Sequence, residues 1–171
     1  MAYQRQFLIS VAQCSLNAVL DLYRQMQHAK GMALTRQTMG HVEVSLGRYA
    51  AASRHYQTAL ELVEKLNDVD GIATECLNLA YAAALQADYA AEGKYARRAL
   101  AHARQVQNRH LEGLARQNLG EAEREGGDLT AARQHLLAAL ALLDDPALFE
   151  ERAGILADLA LTHWKAGDLP L

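Results

Sequence analysis

Small residues stand at four evenly spaced points of this chain, as Gly40, Ala80, Gly120 and Ala160. Each follows a large apolar residue, Met39, Leu79, Leu119 or Leu159. Seven residues further on come Gly47, Ala87, Gly127 and Gly167, and two beyond these Tyr49, Tyr89, Leu129 and Leu169. The pairs Ala59-Leu60, Ala99-Leu100 and Ala139-Leu140 keep the same step of 40 residues. A period of this size, held without slip, implies stacked helical hairpins in which each layer repeats the packing of the last.

The residue types suit that reading. A small residue in the first helix of a hairpin, and Ala52 or Ala59 in the second, let two backbones approach while larger neighbours interdigitate. Gly47, Gly127 and Gly167 fall where the chain turns, and a positive φ is open to glycine there. Asp88, Asp128 and Asp168 follow the turn and are placed to cap the next helix. With 171 residues, 51% hydrophobic content and a formal charge of -3, the chain can bury a core as one array over residues 1–171. Two prolines and abundant Ala, Leu, Gln, Arg and Glu favour helix throughout. Two cysteines make no disulfide framework and fit a reducing, cytoplasmic setting. No apolar run reaches the length of a membrane span or forms a signal peptide.

Three segments, TMGHVEVSLGRYAAASRHYQTALEL, LNLAYAAALQADYAAEGKYARRALAHA and NLGEAEREGGDLTAARQHLLAALAL, resemble tetratricopeptide repeats. The common period of that family is 34 residues, and the 40 found in this chain is similar to the longer-helix variant of kinesin light chains and bacterial regulators. HEAT and armadillo arrays share a period near 40, but the Gly-Asp corner followed by Tyr or Leu favours the tetratricopeptide pattern. The resemblance spans about residues 8–169. It implies an all-α, right-handed superhelical solenoid of antiparallel helix hairpins, with about eight helices. Residues 8–29 read as the second helix of a partial repeat, because Ala12, Leu16, Leu20 and Tyr23 match Ala52, Tyr56, Leu60 and Val63. Repeats follow at 31–68, 71–108 and 111–145, and a closing helix at 148–167. Glu92 stands where Ala52 and Ala132 stand, and Ala96 replaces Tyr56 and Leu136, so the middle hairpin is expected to pack more loosely. Leu156, Leu159, Leu161 and Trp164 make the last helix apolar on more than one side. A chain cut from a longer protein, or an end that docks onto another copy, would account for that.

No constellation for catalysis or cofactor binding is present: no phosphate-binding glycine loop, no dinucleotide fingerprint, no HExxH, no CxxC and no nucleophile elbow. A non-catalytic protein without cofactor or metal is expected. The histidines are scattered; His55 and His135 share a repeat position and read as a structural slot. Cys76 reads as a buried thiol and Cys14 as an exposed one.

In such arrays the first helices line the concave side. The resemblance carries the groove onto Leu34, Gln37, His41 and Val44 in one copy, then Thr74, Leu77, Tyr81 and Leu85, then Leu114, Gln117, Glu121 and Arg124. The closing helix adds Ala157, Leu161, Trp164 and Lys165, and Asn78 and Asn118 lie one position past Leu77 and Gln117. The mixed character of Gln37, His41, Asn78, Tyr81, Gln117, Asn118, Glu121, Arg124 and Trp164 suits a protein or peptide partner. The three leucines Leu77, Leu114 and Leu161 serve packing or contact equally well. The positions of the family's two-carboxylate clamp hold Gln37, Leu77 and Gln117, then His41, Tyr81 and Glu121, so an acidic C-terminal peptide is not the expected ligand. Lys94, Arg97, Arg98, Arg104, Arg109 and Arg116 form a basic run behind an acidic one, read as solvated faces with local pairs. Without interleaved aromatics, and with a negative net charge, nucleic acid is not an expected partner. The expectation is a docking or sensory region of a bacterial cytoplasmic regulator. The alternative is a scaffold that homo-oligomerises through its apolar terminal helices.

Overall fold

The computed structural model describes residues 2–168, with side chains from Ile9 onward. Leu169, expected at the last corner, lies outside the described residues. Eight α-helices account for nearly all of that span, and no strand occurs among the described residues. They are α1 (Ala2–Gln25), α2 (Ala29–Ser45), α3 (Tyr49–Lys65), α4 (Val69–Ala84), α5 (Tyr89–Gln105), α6 (Arg109–Gly126), α7 (Leu129–Leu142) and α8 (Phe149–Ala166). Two compact units divide the chain, one up to Asp68 and one from Val69 on.

In the first unit α1 packs on α2, and α2 forms a hairpin with α3. Tyr56 on α3 is 1% exposed and lies against Gly40 on α2, so closely that any Cβ at Gly40 would collide with its ring. In the second unit α4 pairs with α5 and α6 with α7, α5 packs on α6, and α7 on α8. The first helices of its layers also meet one another, α4 with α6 and α6 with α8. Leu136 stands over Gly120, where a Cβ would come within 2.6 Å of it, and Leu143 stands over Gly113 at the same distance. These close approaches are the small-against-large contacts that the period predicts. Leu136, Ala139, Leu143, Ile155 and Leu159 form one buried cluster.

The corners repeat twice as often as the sequence reading expects. Gly47, Ala87, Gly127 and Gly167 have φ of 72°, 56°, 93° and 75°. Gln27, Asn67 and Gln107, midway between them in the sequence, are left-handed too, at 52°, 53° and 55°. At each site the next residue's N–H reaches a carbonyl five residues back, as in Arg48 to Glu43 at 2.9 Å and Asn108 to Ala103 at 2.9 Å. The left-handed residue itself donates three residues back, as in Gly47 to Val44 at 2.9 Å. This is the Schellman motif, which satisfies the carbonyls orphaned at a helix end. The entering helix is then capped: Asp88 accepts from Ala91 N–H, Asp128 from Ala131 and Asn108 from Leu111, while His28 Nδ1 accepts from Gly31. Arg48 makes no such side-chain cap.

The beat of corners fails once, at residue 147. There Asp145-Pro146 starts a short 3₁₀ turn, with Asp145 capping Ala147 N–H at 2.8 Å. Arg152 on α8 reaches back and donates to the Leu143 carbonyl at 2.7 Å, taking over the role of a corner N–H.

The middle hairpin encloses its exceptional residues completely, since Glu92 and Ala96 are both 0% exposed. The order of small then large (Ala52, Tyr56; Ala132, Leu136) is inverted to Glu92 then Ala96. The deficit is therefore chemical: both carboxyl oxygens of Glu92 are buried without a hydrogen-bond partner.

Candidate interaction groove

The 40-residue register sets Tyr81, Glu121 and Leu161 in one row across α4, α6 and α8. Leu77, Gln117 and Ala157 form the row a turn earlier. Tyr81 is 51% and Trp164 62% exposed, and Leu161 is also exposed. Leu77 is buried, and Leu114 packs against the core cluster, so these two leucines serve packing.

A chain of polar contacts joins α6 to α8. Gln117 Nε2 donates to Asp158 Oδ2 at 3.0 Å, and Arg124 donates to Asp158 Oδ1 at 2.9 Å. Arg124 Nε also donates to Glu125 Oε1 at 3.0 Å, and Lys165 Nζ donates to both Glu125 oxygens at 2.8 Å. Arg124 is thus buried and ion-paired, where the sequence reading sets it on an open groove wall. The physical reason is local: carboxylates from two helices surround the guanidinium, and its five donors match them in a fork geometry. Glu125 is held below the usual carboxylate range, first by the bond from Lys165 and also by Arg124. Glu121 sits 3.9 Å from the Arg124 guanidinium, and burial, reinforced by the Asp158 charge, raises its pKa.

Beneath this network Glu92 is pushed up to about 8, first by burial and then by the charge of Glu121, with Arg124 opposing. Asp158 and Glu125 add to the rise. On α4, burial pushes Glu75 up to about 7 against the stabilising bond from Asn78 Nδ2 at 3.2 Å. Asn118 is half-buried in the slot that corresponds to Asn78.

Asp158, Glu125 and Glu92 are members of this network that the sequence reading did not assign to the site. Asp158 had a signal, since it lies in the same 40-residue slot as Asn78 and Asn118. Glu125 had one too, since it precedes Lys165 by a full period. Glu92 stood out as a departure, but nothing local marks its carboxyl as unpartnered.

In the first unit Gln37 and Val44 are half-buried, and Leu34 and His41 are exposed. The His41 ring meets Tyr56 edge-on, with centroids 5.6 Å apart. A cleft of about 150 Å³, lined by Gln13, Leu16, Met39 and Glu43 among others, opens between α1, α2 and α3. It is smaller than the few hundred Å³ usual for a small-molecule site. His55 and His135 share both their repeat position and their environment, each held below the usual histidine value by burial and then by a nearby arginine, Arg36 or Arg116. Cys76 is buried and Cys14 exposed. Much of the basic run is paired locally: Arg97 with Glu123, Arg104 and Arg116 with Glu112, and Arg109 with Asp144. Among the described residues no group of three His, Cys, Asp or Glu is placed to hold a metal ion, and no helix is long and apolar enough to cross a membrane.

No protein-family model matches the chain, and no curated protein does. Solved structures do. BtubC (BKLC) from P. vanneervenii superposes with a TM-score of 0.82 at 18% identity, over 96% of this chain and 69% of that one. The N-terminal domain of stress-induced protein-1 (STI-1) from C. elegans gives 0.60 at 20% identity, over 75% of this chain and 97% of that one. With the helix pairing and corners above, these likenesses establish a tetratricopeptide-type array of helix hairpins.

Proposed function

We propose that the α4–α6–α8 face is a docking surface for a segment of a protein partner, and that the chain is the docking or sensory part of a bacterial cytoplasmic regulator. The reading is non-catalytic. The observation that carries it is the pairing of exposed Tyr81, Leu161 and Trp164 with a neighbouring polar network already joined within itself. Large exposed apolar groups beside organised polar ones are what a peptide groove presents. The regulatory part of the reading draws on the 40-residue period. Selection from a randomised twelve-residue display library tests it. Selected peptides are expected to lose binding to the Tyr81→Ala, Trp164→Ala double variant while its helical circular dichroism stays unchanged. Retained binding would place the site elsewhere.

A second reading rests on α8, where Phe149 is 66% and Leu156 51% exposed. In it these residues mediate self-association, assisted by the exposed Val19 and Leu22 of α1 and Met26 just past its end. Sedimentation of Leu156→Glu against the parent separates the two, because identical masses at high concentration remove the second reading.

A further inference from the structure

We infer that the segment docking on the α4–α6–α8 face carries a basic side chain, lysine or arginine, that pairs with Glu121 beside Tyr81. This rests on the docking reading above and names the chemistry of its partner.

The argument is a matter of unmet charge. Three carboxylates, Glu121, Glu125 and Asp158, gather at this face around the buried and protonated Glu92. Two cations answer them, Arg124 and Lys165. Lys165 is bound through both Glu125 oxygens, and Arg124 through Asp158 and Glu125. Glu121 is left with the Arg124 guanidinium at 3.9 Å, beyond hydrogen-bond reach. Its side chain is 34% exposed, so an incoming group can reach it. The buried Glu92 feels the same surplus. It is 0% exposed with both carboxyl oxygens unpartnered, and the charges that act on it are those of this cluster. A fully buried acid without a donor is uncommon in a finished core, and the carboxylate charges above Glu92 add to the effect of burial in keeping it protonated. The exposed Tyr81 ring shares a row with Glu121 on the adjacent helix, which offers a cation a π-face next to a carboxylate. An acidic segment would meet Glu121 and Tyr81 with Arg124 and Lys165 already paired, which is the wrong complementarity.

The randomised twelve-residue library provides the test. Enriched peptides are expected to share a lysine or arginine. Replacing that residue with glutamine, or Glu121 with Gln, should weaken binding about tenfold or more, as expected for loss of a charge-assisted contact. The two changes together should weaken it no further than either alone. Binding should also fall with added salt. Peptides that need Tyr81 and Trp164 but carry no basic residue would overturn this inference and leave the docking reading standing. So would a Glu121→Gln variant that binds them unchanged. Peptides indifferent to Tyr81 and Trp164, or no enrichment at all, would overturn both.

Discussion

The α2–α3 hairpin of the first unit and the α4–α5 hairpin of the second use one layout and fill it with opposite chemistry. In the first, Tyr56 closes over Gly40, and its neighbours Ala52, Ala59 and Leu60 are at most 1% exposed. In the second, Glu92 and Ala96 hold the corresponding slots, so a buried carboxyl replaces the alanine and an alanine replaces the ring or leucine. Size is exchanged between the two slots, and polarity changes at one of them. The acid is tolerated at this core slot because burial first, and then the carboxylates of the adjacent layer, keep it protonated.

Four measurements test that contrast. Tyr56→Ala should cost about 3–5 kcal/mol of stability, read from the denaturant midpoint, because it empties a large slot above a glycine. A loss under about 1 kcal/mol would mean that the slot is not filled as described. Asp158→Ala should cost about 2–3 kcal/mol, since it strips the buried Arg124 of its α8 partner; an unchanged midpoint would detach the network from the stability of the second unit.

The pH dependence follows third. Glu92 titrates near 8 in the folded chain against an ordinary value of 4.5, so folding takes up a proton between those values. The native state then binds more protons than the unfolded one, and stability falls as pH rises through that window. Glu75, pushed up to about 7, acts in the same direction over a shorter range. Thermal midpoints of the parent should therefore drop from about pH 5 to about pH 8.5, and Glu92→Gln should shrink the drop. An equal drop in the variant would show that Glu92 is not the group responsible. The smallest effect is expected at Ala87, whose φ of 56° carries a left-handed penalty. Ala87→Gly should stabilise by about 0.5 kcal/mol, the penalty relieved less the added freedom of the unfolded chain.

The period, the glycine corners and the caps at Asp88 and Asp128 were legible because they depend on local residue types at fixed offsets. The corners at Gln27, Asn67 and Gln107 were not, since their backbone is left-handed without glycine to announce it. Arg124 was legible as a residue of the α6 face. Its burial was not, because that is decided by Asp158, 34 residues away on another helix. Asp158 escaped notice because it differs in kind from Asn78 and Asn118, although it holds their slot. Glu92 was visible as an exception, and the looseness expected of its hairpin is answered by complete burial with an unmet polar need. Pairing across helices is the part that a one-dimensional pattern carries least.

The failed corner at residue 147 also bears on how this chain can change length. One residue inserted within α6 would swing every later side chain of that helix by about 100° and put Gln117 or Arg124 on the wrong face. The exposed Asp144-Asp145-Pro146 link already departs from the rhythm of turns and is anchored by Arg152 rather than by backbone geometry. Insertions and deletions among relatives of this chain should therefore collect there, leaving the helices on either side with constant lengths.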